Sequence, residues 1–514
     1  MLYKEGSRGT IMDSTETELK LCLDAALLSR VPRLPAIAAY KTGKGRSKTL
    51  ISTYYDTPTR ELRQSGVSLR LRQSGRDWTQ TVKTEGRRAS GLFERGEWEI
   101  SAPLAQVHLP HLLATELPVF RLDGLIERLT PVFTTQVRRT IYLLATPEWD
   151  IELALDQGEI LAGDRRMPLA EIELELRRGP VTALFGLAQD IAAGFPCRVL
   201  TSAKSDRGYA LADGGAPRPT KAPPLDLNAD MNAGQSFSVI AGNCLRHLQS
   251  NEAALRGDQA GEAVHQMRVA LRRLRSALKV FKPLVHGTEL DTIKTEMRWL
   301  LGHLGPARDA DVFLAEIIAP VQENHPDAPA LAVLREEWLE QRQQAFVAAT
   351  AAIDDNRFTR LMLTLGQWLA QAPWTTTEAA AMSLGRYARQ VLKKSHRRLL
   401  KAGGDNLTHL PAPELHQVRI LGKQMRYTGE FFATLYPRAE TKPFLGLLAE
   451  LQESLGGLND LTVAGITLAG THHRQDWAWA AGMICGWHEH RRPGLLRDAR
   501  LTWKKLRKTT PYWE

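Results

Sequence analysis

The sequence contains few cysteines, and their positions argue against a disulfide framework or a zinc site. Its four cysteines are scattered along 514 residues without a C-x-x-C pair: Cys22, Cys197, Cys244 and Cys485. Buried thiols in a reducing compartment fit this pattern better than disulfides or structural zinc. We therefore expect a cytoplasmic protein whose fold does not depend on disulfide bonds.

Long hydrophobic runs are also missing. No stretch approaches the roughly 20 uninterrupted apolar residues that span a bilayer, and residues 1–10 lack the apolar core of a signal peptide. We expect no membrane partner and a flexible extension at residues 1–10. With 43% hydrophobic and 24% charged residues, a chain of this length is typical of a soluble protein with two or three domains.

The positive charge is concentrated in the second half of the chain. From residue 232 onward there are 36 Lys and Arg against 28 Asp and Glu, whereas the remainder has 31 against 29. Twelve of the fourteen histidines also lie in this second part. A basic half of this kind indicates a polyanionic partner without identifying it.

A Pro- and Gly-rich segment divides the chain into two halves of different pattern. Residues 213–224 read DGGAPRPTKAPP, which breaks both helix and sheet, so we predict a linker at 212–231. Short strand-like runs dominate 11–211 and predict an α+β domain built on a mainly antiparallel sheet. Long amphipathic helices dominate 232–508 and predict an all-α domain.

The helical half contains a duplication. His265-Gln266-Met267-Arg268 recurs 151 residues later as His416-Gln417-Val418-Arg419, and Leu304-Gly305 recurs at the same offset as Leu455-Gly456. Because one offset holds over nearly fifty residues, we predict two copies of a helical unit, at 232–375 and 376–508, related by a pseudo-twofold axis.

The strand-like runs of the first half carry charged residues at every second position. Glu16, Glu18 and Lys20 alternate, as do the carboxylates of 171–175, and residues two apart on a strand share one face. A solvated edge strand would show the same pattern. If the sheet closes into a barrel, however, the ionic faces line a wet tunnel, where carboxylates suit Mg²⁺ or Mn²⁺ and Arg and Lys suit phosphate.

An ordered set of motifs in the first half resembles the CYTH domain of the triphosphate tunnel metalloenzymes, particularly the bacterial inorganic triphosphatases. The motifs are E-x-E-x-K at 16–20, YYDTP at 54–58, LRLR at 69–72, TVK at 81–83, LALDQG at 153–158, EIELEL at 171–176 and SAK at 202–204. The resemblance implies an eight-stranded antiparallel β-tunnel and Mg²⁺- or Mn²⁺-dependent hydrolysis of inorganic triphosphate to pyrophosphate and phosphate.

The resemblance also implies roles for individual residues. The implied metal ligands are Glu16, Glu18, Asp156 and two of the three carboxylates Glu171, Glu173 and Glu175. The residues implied in phosphate binding and catalysis are Lys20, Arg70, Arg72, Lys83, Arg139 and Lys204, with Arg95 and Glu97 assigned less securely because Gly96 departs from the family pattern. The sequence assigns no general base.

The helical half resembles the CHAD domain, a family associated with binding inorganic polyphosphate. Two basic stripes at offsets 0, 3, 7 and 10 carry this resemblance, each followed by a Leu-Gly and Asp segment. The stripes are His265, Arg268, Arg272 and Arg275 in the first copy and His416, Arg419, Lys423 and Arg426 in the second. Solvent-facing stripes paired with acidic neighbours are the structural alternative. Further candidate contacts are Lys393, Lys394, Arg397 and Arg398.

Other functions remain open at this point. The tunnel could act on thiamine triphosphate, a nucleotide or an RNA 5′-triphosphate, could be an adenylyl cyclase, or could be a degenerate part of a non-catalytic polyphosphate-binding protein. Nucleic acid is a less favoured partner because the stripes contain no stacking aromatic residue. We interpret His472-His473 and His488-Glu489-His490 as polar surface rather than metal sites. The oligomeric state stays open.

Overall fold

The structure, a computed structural model, describes residues 12–469 and 475–514. The expected flexible extension at 1–10 and the pair His472 and His473 lie outside the described residues. The chain forms two compact units. One ends at Pro217 and also includes Ile353–Gln371, and the other comprises Arg218–Ala352 and Ala372–Glu514.

Ten strands of the first unit form one sheet. They are β1 (Met12–Leu23), β2 (Arg46–Asp56), β3 (Val67–Ser74), β4 (Asp77–Thr84), β5 (Arg87–Ala89), β6 (Leu92–Ser101), β7 (Thr130–Ala145), β8 (Asp150–Ala162), β9 (Arg165–Arg178) and β10 (Cys197–Val199). Eight of them close into a barrel in the order β1-β9-β8-β7-β2-β3-β4-β6, because β1 also pairs with β6. Every pairing is antiparallel, which confirms the predicted eight-stranded antiparallel architecture.

Seventeen α-helices complete the described fold. Those up to the linker are α1 (Ala25–Leu28), α2 (Pro35–Ala38), α3 (Glu61–Gln64), α4 (Leu109–Ala114), α5 (Thr182–Gly194) and α6 (Lys204–Asp213). The later ones are α7 (Ala233–Ser250), α8 (Ala260–Val280), α9 (Thr288–Val312), α10 (Ala319–Asn324), α11 (Pro329–Asp354), α12 (Asn356–Gln371), α13 (Leu384–Gly403), α14 (Ala412–Phe432), α15 (Arg438–Ala469), α16 (Gln475–Glu489) and α17 (Arg492–Lys508). Among the described residues, no helix combines the length and apolar character needed for a membrane span.

Along the barrel strands, successive side chains point alternately to the two faces of the sheet, and side chains on both faces are buried. On β1, Leu19 and Leu21 are fully buried, and α5 packs against this strand. The intervening Glu18 and Lys20 are also buried, at 2% and 3% exposure, because they lie on the opposite face of the strand, inside a closed barrel. The charged face is therefore an internal surface and not a solvated edge.

Helix α12 belongs to the first unit, although we predicted its residues to be part of the first helical copy at 232–375. The Thr359 hydroxyl donates to the Cys197 carbonyl at 2.5 Å, and the Gln189 amide donates to Gln367 on α12 at 2.9 Å. Phe358, Leu361 and other apolar side chains of α12 are buried. A fragment that stops at the linker therefore lacks one helix of this unit.

In the second unit, one succession of three helices occurs twice. Helices α7, α8 and α9 recur in the same order as α13, α14 and α15. At the start of each copy the backbones exchange equivalent hydrogen bonds, from Ala233 N to Met382 O at 2.9 Å and from Leu384 N to Met231 O at 3.0 Å. Residues 231 and 233 correspond to 382 and 384 at the offset of 151, so these two hydrogen bonds are equivalent under exchange of the two copies.

Candidate functional site

The inward faces of the barrel strands enclose a charged cavity of about 290 Å³. Nine Lys and Arg residues and seven Glu residues line it, together with a few neutral side chains. The cations are Lys20, Lys48, Arg70, Arg72, Lys83, Arg95, Arg139, Arg177 and Lys204, and the carboxylates are Glu16, Glu18, Glu97, Glu99, Glu152, Glu173 and Glu175. All tunnel residues predicted from the sequence line it, apart from Asp156 and Glu171, which contact Lys204.

Glu16 and Glu18 are neutralised by cations from three other strand positions. Lys83 Nζ lies 2.6 Å and Arg95 Nε 3.0 Å from Glu16 Oε2. Arg95 also pairs with Glu18, whose second oxygen lies 2.9 Å from Lys20 Nζ. Burial raises the pKa of Glu16, but Lys83 and Arg95 outweigh it and hold the pKa well below its usual range. This carboxylate therefore stays ionised although it is buried.

A second acidic group is formed by residues of the neighbouring strands β8 and β9. Asp156 and Glu171 are cross-strand neighbours, and ligand atoms of Asp156, Glu171 and Glu173 lie within 4.8 Å of one another. Lys204 Nζ contacts Asp156 at 2.7 Å and Glu173 at 2.8 Å. Three buried carboxylates so close together present the oxygen donors that a hard divalent cation prefers.

The cations around this second group reverse the effect of burial on its pKa values. Burial alone would raise the pKa of Asp156 and Glu173, but Arg139, Lys204 and, for Glu173, Lys20 lower both below their usual values. Conversely, Asp156 raises the pKa of Lys204 against the effect of burial. Asp156 and Glu173 are thus ionised carboxylates held by Arg139 and Lys204 and, for Glu173, by Lys20.

Glu175 lies in a different environment from its neighbour Glu173. It is a cross-strand partner of both Glu18 on β1 and Glu152 on β8. Burial raises its pKa to about 7, Arg177 opposes this shift, and Glu16 and Glu152 increase it. The negative charge around Glu175 is less completely neutralised than the charge of the two carboxylate groups described above. A bound divalent cation would therefore be favoured beside Glu175.

The opposite pole of the cavity is cationic. Arg72 donates from Nε to Ser52 at 3.1 Å, and Arg70 donates to the Tyr54 hydroxyl at 3.5 Å. Burial and the neighbouring charges of Arg70 and Arg139 lower the pKa of Arg72 to about 10. Arg70 Nε is buried and has no hydrogen-bond partner among the described residues. The Nε–H of Arg70 therefore lacks an acceptor, which a phosphate oxygen would supply.

Sequence reasoning missed several charged residues that line the cavity. These are Lys48, Glu99, Glu152 and Arg177, together with the phenol of Tyr54. The sequence contained a signal for these residues. Each lies an even number of positions from a motif residue on the same strand, and residues spaced in this way share one face of a strand. Glu99 follows Arg95 and Glu97 in this way, and Arg177 follows Glu173 and Glu175.

In the second unit, the two predicted stripes converge on one surface. Lys423 of the second copy interacts with Arg272 and Arg268 of the first copy as well as with its own neighbours Arg419 and Arg426. Burial and these positive charges lower the pKa of Lys423 to about 7. We call this group, Arg268, Arg272, Arg419, Lys423 and Arg426, the basic cluster.

The Leu-Gly and Asp segments position the stripes. Arg268 Nη1 donates to the carbonyl of Leu304 at 3.3 Å and lies 3.2 Å from Asp309. In the second copy, His416 Nδ1 lies 2.8 Å from Asn459 Oδ1. Arg275 of the first stripe is exposed on α8. The two motifs that repeat together in the sequence are thus in contact with each other in both copies.

The interpretation of His488 as polar surface is wrong. His488 is 3% exposed, and its Nε2 lies 2.8 Å from the Ile317 carbonyl oxygen. Within 12–469 and 475–514, the one group of three potential ligands is Asp156, Glu171 and Glu173, so His488 joins no metal group. It is a buried histidine that bonds to the backbone.

The comparison with protein families agrees with both halves of the structure. The CYTH domain model matches residues 14–209, and the CHAD domain model matches residues 239–469. The chain is a CYTH–CHAD protein. Its CYTH domain is the barrel unit with the charged cavity, and its CHAD domain carries the basic cluster.

Individual relatives cover one or both domains. The "Inorganic triphosphatase" of Haemophilus influenzae is 33% identical over 198 residues, which cover 38% of this chain and 54% of that protein. An uncharacterized protein of Mycobacterium tuberculosis is 24% identical over 451 residues, 82% of this chain and 84% of the relative. The crystal structure of the CHAD domain from the plant Ricinus communis is 36% identical and covers 55% of this chain and 96% of that one, with a TM-score of 0.49. The chain thus spans about half of the triphosphatase relative.

Proposed function

We propose that the protein is a cytoplasmic inorganic triphosphatase that hydrolyses tripolyphosphate to pyrophosphate and phosphate with Mg²⁺ or Mn²⁺, and that its CHAD domain binds inorganic polyphosphate. One observation carries the first part: a cavity inside the barrel in which carboxylates share the space with nine cations, and in which Arg70 Nε lacks an acceptor. The similarity of the CYTH domain to a protein named inorganic triphosphatase supports the same reaction.

The charge of the cavity supports this substrate class. Nine cations and seven carboxylates line it, so it is moderately positive when all are ionised. A triphosphate carries about four negative charges, which a positive lining and one divalent cation would together offset. A neutral or cationic substrate would leave this positive charge without a counterion.

The residues that would hold a cation form the acidic side of the cavity. They are Glu16, Glu18, Glu173 and Glu175, with Asp156 and Glu171 behind Lys204. The close approach of three buried carboxylates fits a small hard cation. When bound, such an ion would neutralise phosphate oxygens and lower the pKa of a coordinated water.

The protein's own cations would orient the triphosphate and stabilise charge in the transition state. Arg70, whose Nε lacks an acceptor, and Arg72, whose Nε donates to Ser52, would donate to phosphate oxygens at one pole. Lys20, Lys83, Arg95, Arg139 and Lys204 are already paired with carboxylates and would hold these carboxylates in place while contacting the substrate. Burial of these groups strengthens each interaction because little water competes for it.

The CHAD domain would bind polyphosphate through the basic cluster and the flanking stripe histidines, His265 and His416. Cations of both copies lie close together there, and the lowered pKa of Lys423 means that their repulsion is not fully offset by carboxylates. A linear polyanion would relieve this repulsion and release counterions. The exposed basic residues Lys393, Lys394, Arg397 and Arg398 of α13 would extend the surface for longer chains.

A direct test measures phosphate release by the whole chain from tripolyphosphate, ATP, thiamine triphosphate and long-chain polyphosphate, with Mg²⁺, with Mn²⁺ and with excess chelator. The whole chain is used because α12 completes the first unit. We expect the highest kcat/KM for tripolyphosphate and no release in chelator. A higher kcat/KM for thiamine triphosphate or ATP would favour an organic substrate instead. Absence of hydrolysis with every substrate would favour a binding protein.

A further inference from the structure

We propose that a second cavity in the barrel unit binds orthophosphate and is the route by which this product leaves the tunnel, an inference that rests on the proposed triphosphatase function. We call it the side cavity. It has a volume of about 170 Å³, and residues of α3, β3, β4 and α6 contribute to its wall. The sequence motifs assigned no role to Arg63 and Arg88, which line it.

The side cavity adjoins the charged cavity of the tunnel. Four residues line both cavities: Ser68, Lys83, Arg95 and Ser205. Two of them are small serines and two are long side chains, so a change of rotamer could open a passage without movement of the backbone. Lys83 and Arg95 lie 2.6 and 3.0 Å from Glu16 Oε2. The passage therefore begins beside a carboxylate of the proposed cation site.

The wall of the side cavity has an excess of positive charge. Four cations line it against two carboxylates: Arg63, Lys83, Arg88 and Arg95 against Glu85 and Asp206. An excess of this kind attracts anions, and the attraction is stronger inside a cavity because water screens it less. A small anion that forms in the tunnel would therefore be drawn into the side cavity.

Ion pairs hold the two outer guanidinium groups in place. Arg88 Nη1 lies 2.5 Å from Asp206, and Arg63 Nη1 lies 2.5 Å from Asp213. A guanidinium group has five N–H donors, so each arginine keeps further donors for phosphate oxygens after making its ion pair. Two oriented guanidinium groups favour phosphate over a spherical anion such as chloride.

The sizes of the two cavities match the two products differently. The tunnel cavity, of about 290 Å³, would hold three phosphoryl groups, whereas the side cavity is smaller. The tunnel cavity also has an opening of its own, because the exposed fraction of the side chains on β9 rises from 10% at Glu173 to 50% at Arg177. Arg177 does not line the side cavity. Pyrophosphate would leave through this opening, and orthophosphate through the side cavity.

Arg60 and Arg63 provide a matched pair of positions. Both pair with Asp213, at 3.2 and 2.5 Å, and both guanidinium groups lie over the ring of Tyr209, at 5.7 and 5.0 Å from its centroid. Only Arg63 of the two lines the side cavity. A comparison of the two positions therefore separates anion binding from the support that both arginines give to α6.

The first experiment measures inhibition of the full-length protein by orthophosphate and by pyrophosphate, with pyrophosphate or orthophosphate formation from tripolyphosphate as the respective readout. Because the side cavity can hold orthophosphate while substrate occupies the tunnel, we expect orthophosphate to lower kcat at saturating substrate. Pyrophosphate should compete with the substrate. Purely competitive inhibition by orthophosphate would contradict a second site.

The second experiment compares Arg63→Gln with Arg60→Gln. Loss of a hydrogen bond between two charged groups should raise the inhibition constant of orthophosphate about tenfold to a hundredfold in Arg63→Gln. Arg60→Gln should keep the constant of the wild type. Equal constants in the two variants would overturn the assignment of Arg63 to the site, since both lose the same contacts with Asp213 and Tyr209.

A third measurement needs no turnover and separates the inference from the proposed function. Calorimetry titrates orthophosphate into the wild type and both variants, with the tunnel filled by the divalent metal and imidotriphosphate, an analogue that resists hydrolysis. We expect binding to the wild type and Arg60→Gln and weaker binding to Arg63→Gln. No binding to the wild type would overturn the inference even if tripolyphosphate is hydrolysed. Failure to hydrolyse tripolyphosphate and to bind the analogue would instead overturn the proposed function, and with it the role of the side cavity in product release.

Discussion

Lys204 in the tunnel is buried and Lys423 in the helical unit is half-buried, and their pKa values shift in opposite directions. Asp156, Glu171 and Glu173 raise the pKa of Lys204 above its usual value. Around Lys423, burial and four arginines lower the pKa to about 7. In the tunnel, neighbouring carboxylates thus balance the positive charge of the lysine. In the basic cluster, the repulsion between the cations would be relieved by an anionic ligand.

This difference fits two kinds of activity. A catalytic site benefits from groups that are fixed before the substrate arrives, because no reorganisation is then needed in the transition state. A surface that only binds a polyanion needs positive charge in excess and little geometric precision. The following predictions test the contrast, from the largest expected effect to the smallest.

Glu18→Gln should reduce kcat for tripolyphosphate by about a thousandfold or more, because it removes a carboxylate charge from the acidic side without changing side-chain size. The measurement is steady-state phosphate release with Mg²⁺ or Mn²⁺, together with circular dichroism to verify folding. Glu159→Gln is the matched control, since Glu159 is also on a barrel strand, β8, but pairs with exposed Arg166 at 3.5 Å. Near-normal activity of folded Glu18→Gln would contradict the metal assignment.

Charge reversal in the basic cluster should weaken polyphosphate binding by about a hundredfold or more in the quadruple variant of Arg272, Arg275, Lys423 and Arg426 to Glu. Because Lys423 interacts with Arg272 across the two copies, the Arg272 and Arg275 pair alone should already weaken binding markedly. Arg298→Glu, an exposed change on α9, should have little effect.

The titration is performed at several salt concentrations with polyphosphate and with duplex DNA of equal charge. A folded quadruple variant that binds like the wild type would exclude the basic cluster as the site. Equal affinity for DNA would contradict polyphosphate as the specific ligand. Loss of helical circular dichroism would mean that the stripes are structural ion pairs.

Polyphosphate affinity should fall as pH rises from about 7, because Lys423 loses its proton with a pKa of about 7. Bound polyphosphate raises this pKa, so binding above pH 7 takes up a proton. Lys423→Arg, which stays charged, should bind about tenfold more tightly than the wild type well above pH 7 and show a flatter pH dependence. Calorimetry in buffers of different ionisation enthalpy measures the proton uptake, and none detected would exclude Lys423 as its source.

Glu175→Gln should have the smallest effect, a slightly higher unfolding temperature of the metal-free protein at neutral pH. The folded-state pKa of about 7 exceeds the ordinary value of 4.5 for a glutamate, so this group makes the native state less stable as pH rises from about 4.5 to about 7. The neutral amide removes that penalty. The same variant should gain less stability than the wild type when Mn²⁺ is added.

Glu173→Gln is the matched comparison for Glu175→Gln. Arg139, Lys20 and Lys204 hold the pKa of Glu173 well below its usual value against the effect of burial, so the amide would leave buried cations unpaired. We expect a loss of about 3–5 kcal/mol in the free energy of unfolding. Thermal unfolding in chelator measures both variants, and equal shifts for the two would contradict the difference in neutralisation.

The inward-facing residues of the tunnel were largely predictable, because they depend on a local rule. Side chains two apart on a strand share a face, so Glu16, Glu18 and Lys20 on β1 could be assigned together before any strand pairing was known. The same rule could have found Glu99 and Arg177. It could not show that Asp156 and Glu171 lie behind Lys204, because that depends on how α6 approaches the barrel.

The sequence by itself determined the α+β and all-α halves, the alternation of the strands and the duplication of the helical unit. These are local or periodic properties, which the chain carries without reference to its folded form. Only the tertiary structure decided which charges meet. Pairing of β1 with β6 brings Arg95 to Glu16, 79 residues away, and packing of the two copies brings Lys423 to Arg272. Likewise, α12 joins the first unit through contacts that no local pattern specifies, because burial against α5 is a property of the assembled surface.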